Sequence, residues 1–226
     1  MCKKILVLAA IITLAAPLSA QFTSTPEQLK EHVYILASDS LLGRGFGTPQ
    51  GLKAAHYIAA EFEQAGIEAL DGHYLHPFMH RSGILNIPGN NVIGVVRGND
   101  PELKNEYIVL GAHYDHLGWK IVDGDTVVYN GADDNATGSS SIIEIGRNLV
   151  ERKAELGRSI ILVAFDGEES GLIGSNHFLS DSMVAPHQVK LMFSLDMVGM
   201  VEAHNGLDMK GAELLVACDY LVGELA

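Results

Sequence analysis

Cysteine is nearly absent from this chain of 226 residues, which has only Cys2 and Cys218. Cys2 falls in a leader-like segment, so the mature chain is expected to keep one thiol and no internal disulfide. Positive charge is also scarce. Fifteen Lys and Arg face 28 Asp and Glu, a formal net charge of −13. That excess speaks against nucleic acid or an anionic membrane as partner and is compatible with binding cations. Past the first twenty residues no stretch is apolar enough to span a bilayer. Neither GxSxG nor HExxH occurs, so the chain encodes no serine-hydrolase elbow and no zincin helix. There is no internal repeat and no low-complexity linker.

What is present reads as one globular domain, residues 21–226, behind a leader. Hydrophobic residues make up 47% and charged ones 19%, enough for a substantial core and unlike a disordered chain. Lys3 and Lys4, the apolar run 5–16 and the exit Pro17-Leu18-Ser19-Ala20 compose a secretory signal peptide over residues 1–20. The run is too short to stay behind as a stable membrane anchor. Cleavage after Ala20 and a periplasmic or extracellular location are therefore expected. Losing the two lysines would take the net charge from −13 to about −15.

Thr25-Pro26-Glu27-Gln28 combines a capping Thr, a first-turn Pro and a Gln that closes the box, which predicts a helix over 26–37. A second helix begins near Pro49, carries Ala54, Ala55, Ile58, Ala59 and Phe62 on one face and ends at Gly66. Between them Gly43-Arg44-Gly45-Phe46-Gly47 follows no strand, so it reads as a tight connection and not a phosphate loop. From residue 91 strands alternate with helices. Residues 91–97 read as a strand. The runs 107–112, 159–165 and 191–195 are short and apolar, as suits central strands covered on both faces. A helical pattern over 137–150 turns Ile142, Ile143, Ile145, Leu149 and Val150 inward. The alternation predicts an α/β domain with a mostly parallel central sheet flanked by helices.

Each of those three runs ends on ligand-forming side chains. His113, Asp115 and His116 follow the first, Asp166, Glu168 and Glu169 the second, and Asp196 the third. Ligands bind beyond the carboxyl ends of strands in an open α/β sheet. Neighbouring parallel strands would thus deliver His113, Glu168, Glu169 and Asp196 to one rim. Asp133 and Asp134 precede the next helix and can reach the same place. Carboxylates gathered around an imidazole repel one another unless a cation neutralises them. Mixed nitrogen and oxygen donors suit zinc, whereas an all-oxygen set suits magnesium or calcium.

The segments GAHYDHLG (111–118), NGADDNATG (130–138), FDGEESGLIGS (165–175) and SLDMVGM (194–200) resemble, in that order, the co-catalytic zinc exopeptidases. That family includes bacterial leucyl aminopeptidases, aminopeptidase Y and glutaminyl cyclases. LASDSLLGRGFGT (36–48) and NVIGVVRG (91–98) resemble its secreted bacterial members. The resemblance implies a zinc-exopeptidase (phosphorylase/hydrolase-like) architecture and two Zn2+ ions. It implies that His113 and Asp196 hold the first ion, that Glu169 holds the second, and that Asp133 bridges them beside a cis Asp133–Asp134 peptide. Glu168 would be the general base, and Asp115 would accept a hydrogen bond from His113 and fix its tautomer. The implied substrates are peptides with a free amino terminus, cut after the first residue by a metal-activated water. A related exopeptidase, a glutaminyl cyclase and a non-catalytic binding relative are the alternatives.

The family also supplies a late His to the second ion. His204 is the only histidine after Asp196, so the chain is expected to be incomplete at its C-terminus. His116 is expected beside the ligand set, outside it. Asn135-Ala136-Thr137 matches a glycosylation acceptor, but its place next to Asp133 argues against modification.

Overall fold

The computed structural model describes residues 24–211 except 182 and 204. The leader expected over residues 1–20, His204 and Cys218 lie outside the described residues. In chain order the elements are α1 (Pro26–Leu36), α2 (Pro49–Gln64), β1 (Glu68–Ala69), β2 (Leu75–Ser82), β3 (Leu85–Val96), β4 (Tyr107–His113), β5 (Trp119–Val122), β6 (Asp125–Val128), α3 (Gly138–Glu151), β7 (Ser159–Phe165), α4 (Ile173–Ser180) and β8 (Val189–Ser194).

The helix starts are those the sequence dictates. Thr25 Oγ1 accepts from the Gln28 amide at 3.2 Å while Gln28 Oε1 accepts from the Thr25 amide at 2.8 Å, closing the box ahead of α1. Thr48 caps α2 by accepting from the Gly51 amide at 3.0 Å. α2 buries Ala54, Ala55, Ile58 and Phe62, one stripe of its 3.6-residue period. α3 buries Ile142 and Ile143 but leaves Ile145 37% exposed. Ile145 was expected inside. The helical period puts it on the flank of the stripe that Ile142, Ile143 and Gly146 define.

The main sheet runs β1-β3-β7-β4-β8, with β2 paired along β3. β4 is parallel to β7 and to β8, whereas β3 is antiparallel to β7, β2 and β1. The α/β class with flanking helices is as read from the sequence. The sheet is mixed, and its parallel part is the three strands that carry the site. β3 begins earlier than the strand expected at 91–97, because its first half returns along β2 through the turn at Gly83, where φ is +60°.

Alternation along the strands divides the core. Val92, Val96, Leu110, Ala112, Leu162 and Ala164 pack with α1, α2 and α3 on one face. Ile93, Val95, Val109, Ile161, Val163 and Phe165 pack with Phe178 of α4 on the other. β8 departs from the expectation of a strand covered on both faces. Met192 and Phe193 are 41% and 36% exposed, and β8 is the outer strand among the described residues. β5 and β6 stand apart as a two-stranded hairpin.

Candidate metal centre

β4 and β7 end level with each other, His113 opposite Phe165, and the Tyr114 amide continues the ladder to Phe165 O at 2.9 Å. The loops that follow therefore leave the sheet side by side. Asp115 joins them. It is fully buried, and its carboxylate accepts the backbone amides of Glu168 at 3.0 Å and Glu169 at 3.3 Å. His113 Nδ1 lies 3.2 Å from the Asp115 carbonyl oxygen and 3.6 Å from its carboxylate. The Asp115 backbone thus bonds His113 while its carboxylate, expected from the sequence to take that bond, faces the ring and also holds the 168–169 turn.

The third loop is drawn in by side chains just ahead of α3. Asn135 is fully buried, donates to Leu195 O at 2.9 Å, and accepts from the amides of Gly138 at 2.9 Å and Met197 at 3.3 Å. This amide has no room for a sugar. Asp133 Oδ1 accepts the Gly199 amide at 2.9 Å and lies 3.3 Å from Thr137 Oγ1. Asp196 is thereby held between the segments that Asn135 and Asp133 fasten.

Against the loop after β4 and the segment that leads into α3 lies Arg44, fully buried. It donates to Tyr114 O at 2.7 Å, Asn130 O at 2.7 Å, Gly131 O at 2.9 Å and also to Leu36 O. Burial pulls its guanidinium down to about 10, against Asp115, Asp134 and Glu169, which favour its charge. The sequence gives no periodicity or spacing that marks this arginine. It reads as one residue of a glycine-rich connection.

Two groups of donors converge on the rim. His113 Nε2 lies 3.2 Å from Asp134 Oδ1 and 3.5 Å from Asp196 Oδ1. His116 Nδ1 lies 2.6 Å from Glu169 Oε1 and 4.0 Å from Asp134 Oδ2. Within each group the donor atoms all lie inside 4.8 Å of one another. Asp134 gives one oxygen to each group, which is the bridging place expected for Asp133. Asp133 is turned instead toward Gly199 and Thr137. The cis peptide is likewise one residue on, between Asp134 and Asn135. Spacing cannot separate two adjacent Asp residues in one loop. Their facing is set by the local backbone, which enters through Gly131 at φ +59°.

The rim is short of positive charge. Asp134, Glu168, Glu169 and Asp196 share it with two imidazoles, and no Lys or Arg forms an ion pair with any of them among the described residues. Among the described residues, the buried atoms His116 Nδ1, Glu169 Oε1 and Asp133 Oδ2 have no hydrogen-bond partner. Burial disfavours the His113 imidazolium, yet Asp115, Asp196 and Glu168 outweigh it and raise His113 to about 9. Burial also raises Glu168, with Asp115, Glu169 and Asp196 adding to the shift and His113 opposing it. Donors about 2.0–2.1 Å from a tetrahedral ion stand roughly 3.3 Å apart. The spacings around His113, the mixed nitrogen and oxygen donors and the orphaned atoms all fit bound cations. A cleft of about 320 Å³ opens beside His116 and Glu169, walled by Phe46, Leu117 and Trp119.

A model of peptidase family M28 matches residues 91–220, more than half of the chain and all three rim loops. The chain belongs to peptidase family M28. Over 147 residues this M28 chain is 31% identical to the alkaline phosphatase isozyme conversion protein of Escherichia coli, covering 61% of the chain and 41% of that protein. It is 29% identical over 198 residues to a probable leucine aminopeptidase of Arthroderma benhamiae, covering 81% of the chain and 48% of that protein. The M28 chain thus spans less than half the length of these two relatives. Its fold is similar to that of a glutaminyl cyclase from Porphyromonas gingivalis, with a TM-score of 0.61 at 22% identity over 77% of this chain and 60% of the other.

Proposed function

We propose that this M28 chain carries the catalytic rim of an exported zinc aminopeptidase, which removes the first residue from peptides with a free amino terminus. The observation behind this reading is Asp134, shared between the His113–Asp196 pair and the His116–Glu169 pair, with Glu168 alongside. His113, Asp134 and Asp196 would hold one zinc, and Asp134 and Glu169 would take part in holding another. Bound there, zinc supplies Lewis acidity to a peptide carbonyl and lowers the pKa of an attacking water to about 7.

The chain's own groups do the rest. Glu168 lies 3.9 Å from His113 Nε2, and its raised proton affinity suits a group that takes a proton from water and returns it to the departing amine. Asp115 holds the backbone of Glu168 and Glu169, so the base and a ligand move as one unit. The acidic rim attracts the positive amino terminus of a peptide. Leucine aminopeptidase is the activity named for the Arthroderma benhamiae relative, which supports the class. Lys3, Lys4 and the apolar run after them support export.

The test is hydrolysis of leucyl peptides by the zinc-loaded full chain, with the same peptides N-acetylated and with an N-terminal glutamine peptide. Cleavage only of free amino termini is the expected result. Cleavage of acetylated peptides, cyclisation of the glutamine without hydrolysis, or tight binding without turnover at saturating zinc would each overturn the assignment.

A further inference from the structure

We propose that His116 is itself a metal ligand, holding the second cation through Nδ1 together with Glu169 and the second oxygen of Asp134. This rests on reading the rim as a two-metal site. It adds a donor that the resemblance does not supply, since that set draws its second-site histidine from far downstream.

The first ground is an orphaned contact. His116 Nδ1 and Glu169 Oε1 are 2.6 Å apart, yet both atoms are buried without a hydrogen bond among the described residues. A ring whose task was to orient Glu169 would aim its N–H along that line. Two donor atoms that approach closely without alignment face a common point, as ligands of one ion do. Their spacings of 2.6 Å to Glu169 and 4.0 Å to Asp134 bracket the roughly 3.3 Å between donors of a tetrahedral zinc.

The second ground is how the ring is held. The His116 amide donates to Arg44 O at 3.3 Å, and the residue is bridged to Gly45. The ring lies against Gly131, where an added Cβ would come within 2.6 Å of Cγ and Cδ2. Backbone and packing thus fix the imidazole without using Nδ1, which is left for a ligand. Charge supplies the third ground. With His116 included, each ion has one imidazole, one carboxylate of its own and half of Asp134. Two dications are balanced by Asp134, Glu168, Glu169 and Asp196.

The test measures metal directly on the full chain, with no assay of turnover. Zinc is counted by elemental mass spectrometry in the wild type and in His116→Ala, and cobalt spectra are taken of the wild type and of His116→Cys. The expected result is two zinc ions in the wild type, half that content in His116→Ala, and a thiolate-to-cobalt charge-transfer band in His116→Cys that the wild type lacks. Trp119, the chain's one tryptophan, lines the same cleft. Its fluorescence should respond to the second equivalent of metal in the wild type only. Unchanged zinc in His116→Ala, or no band in His116→Cys, overturns the role of His116 and leaves the rim reading intact. Failure of the wild type to take up zinc overturns both. Should His116→Ala not fold, the His116→Cys spectrum decides alone, because a residue that merely positions Glu169 gives no such band.

Discussion

Where α1 meets α3, His32 is buried with Nε2 3.0 Å from Glu144 Oε1, and Arg147 Nε reaches the same oxygen at 3.1 Å. Tyr57 Oη sits 2.6 Å from the other ring nitrogen. At the rim, His113 and His116 also stand among carboxylates, but no arginine or lysine pairs with them among the described residues. The two carboxyls respond in opposite directions. Burial would raise Glu144, yet hydrogen bonds and the Arg147 charge hold it below its ordinary value, whereas Glu168 is raised. Histidine beside carboxylate is therefore no mark of a site in itself. The mark is a cluster of carboxylates that no Lys or Arg pairs with among the described residues, as suits one built to receive metal.

Four experiments sharpen or break this contrast. Glu168→Gln should lower peptide turnover by about 10²- to 10⁴-fold while zinc content stays as in the wild type. Retained turnover would remove Glu168 from the chemistry. Glu144→Ala should leave zinc uptake alone but cost about 3 kcal/mol in urea unfolding, since it takes the carboxylate partner from buried His32 and leaves Arg147 with Glu61. A loss under about 0.5 kcal/mol would mean that cluster is not a closed network. Asp134→Asn should do the reverse. Its metal-free stability should hold or rise, and it should lose the stabilisation of about 2.7 kcal/mol that zinc at a hundred times its Kd gives the wild type. Thermal unfolding with and without chelator reads both.

The fourth concerns Asp166, raised to about 7 mainly by burial, with Asp115 adding and the Asn90 amide opposing. Between its ordinary value near 4 and 7, the folded chain keeps a proton that the unfolded chain has released. Stability of the metal-free protein should then fall as pH rises through that window and stay low above it. Asp166→Asn, which retains an acceptor for the Asn90 amide, should flatten that slope. The Tm gap between variant and wild type should widen from pH 5 to pH 8.

Much of this was legible in the residues. Thr25 and Thr48 announce their helices because capping is local chemistry. The runs before His113 and Asp166 announce buried strands because both faces are covered. Residue order placed His113, Glu168, Glu169 and Asp196 at strand ends, where the parallel strands bring them together. What stayed hidden depends on direction and not on position. Asp133 and Asp134 differ by which way one loop turns, a matter of a few dihedral angles. His116 follows His113 by three residues, a signal in plain view, but only the Gly131 and Gly45 contacts aim its ring. Arg44 could not be found at all, because its partners are carbonyl groups spread over 95 residues of chain, from Leu36 to Gly131.

Among the described residues the hairpin made by β5 and β6 pairs only with itself, yet Trp119 at its base walls the cleft next to Glu169. For protein engineering that separation is convenient. Its outward side chains can be randomised, and its turn at Asp123 and Gly124 lengthened, without disturbing a ladder of the main sheet. Libraries confined to residues 119–128 would explore the shape of the cleft while the rim keeps its geometry.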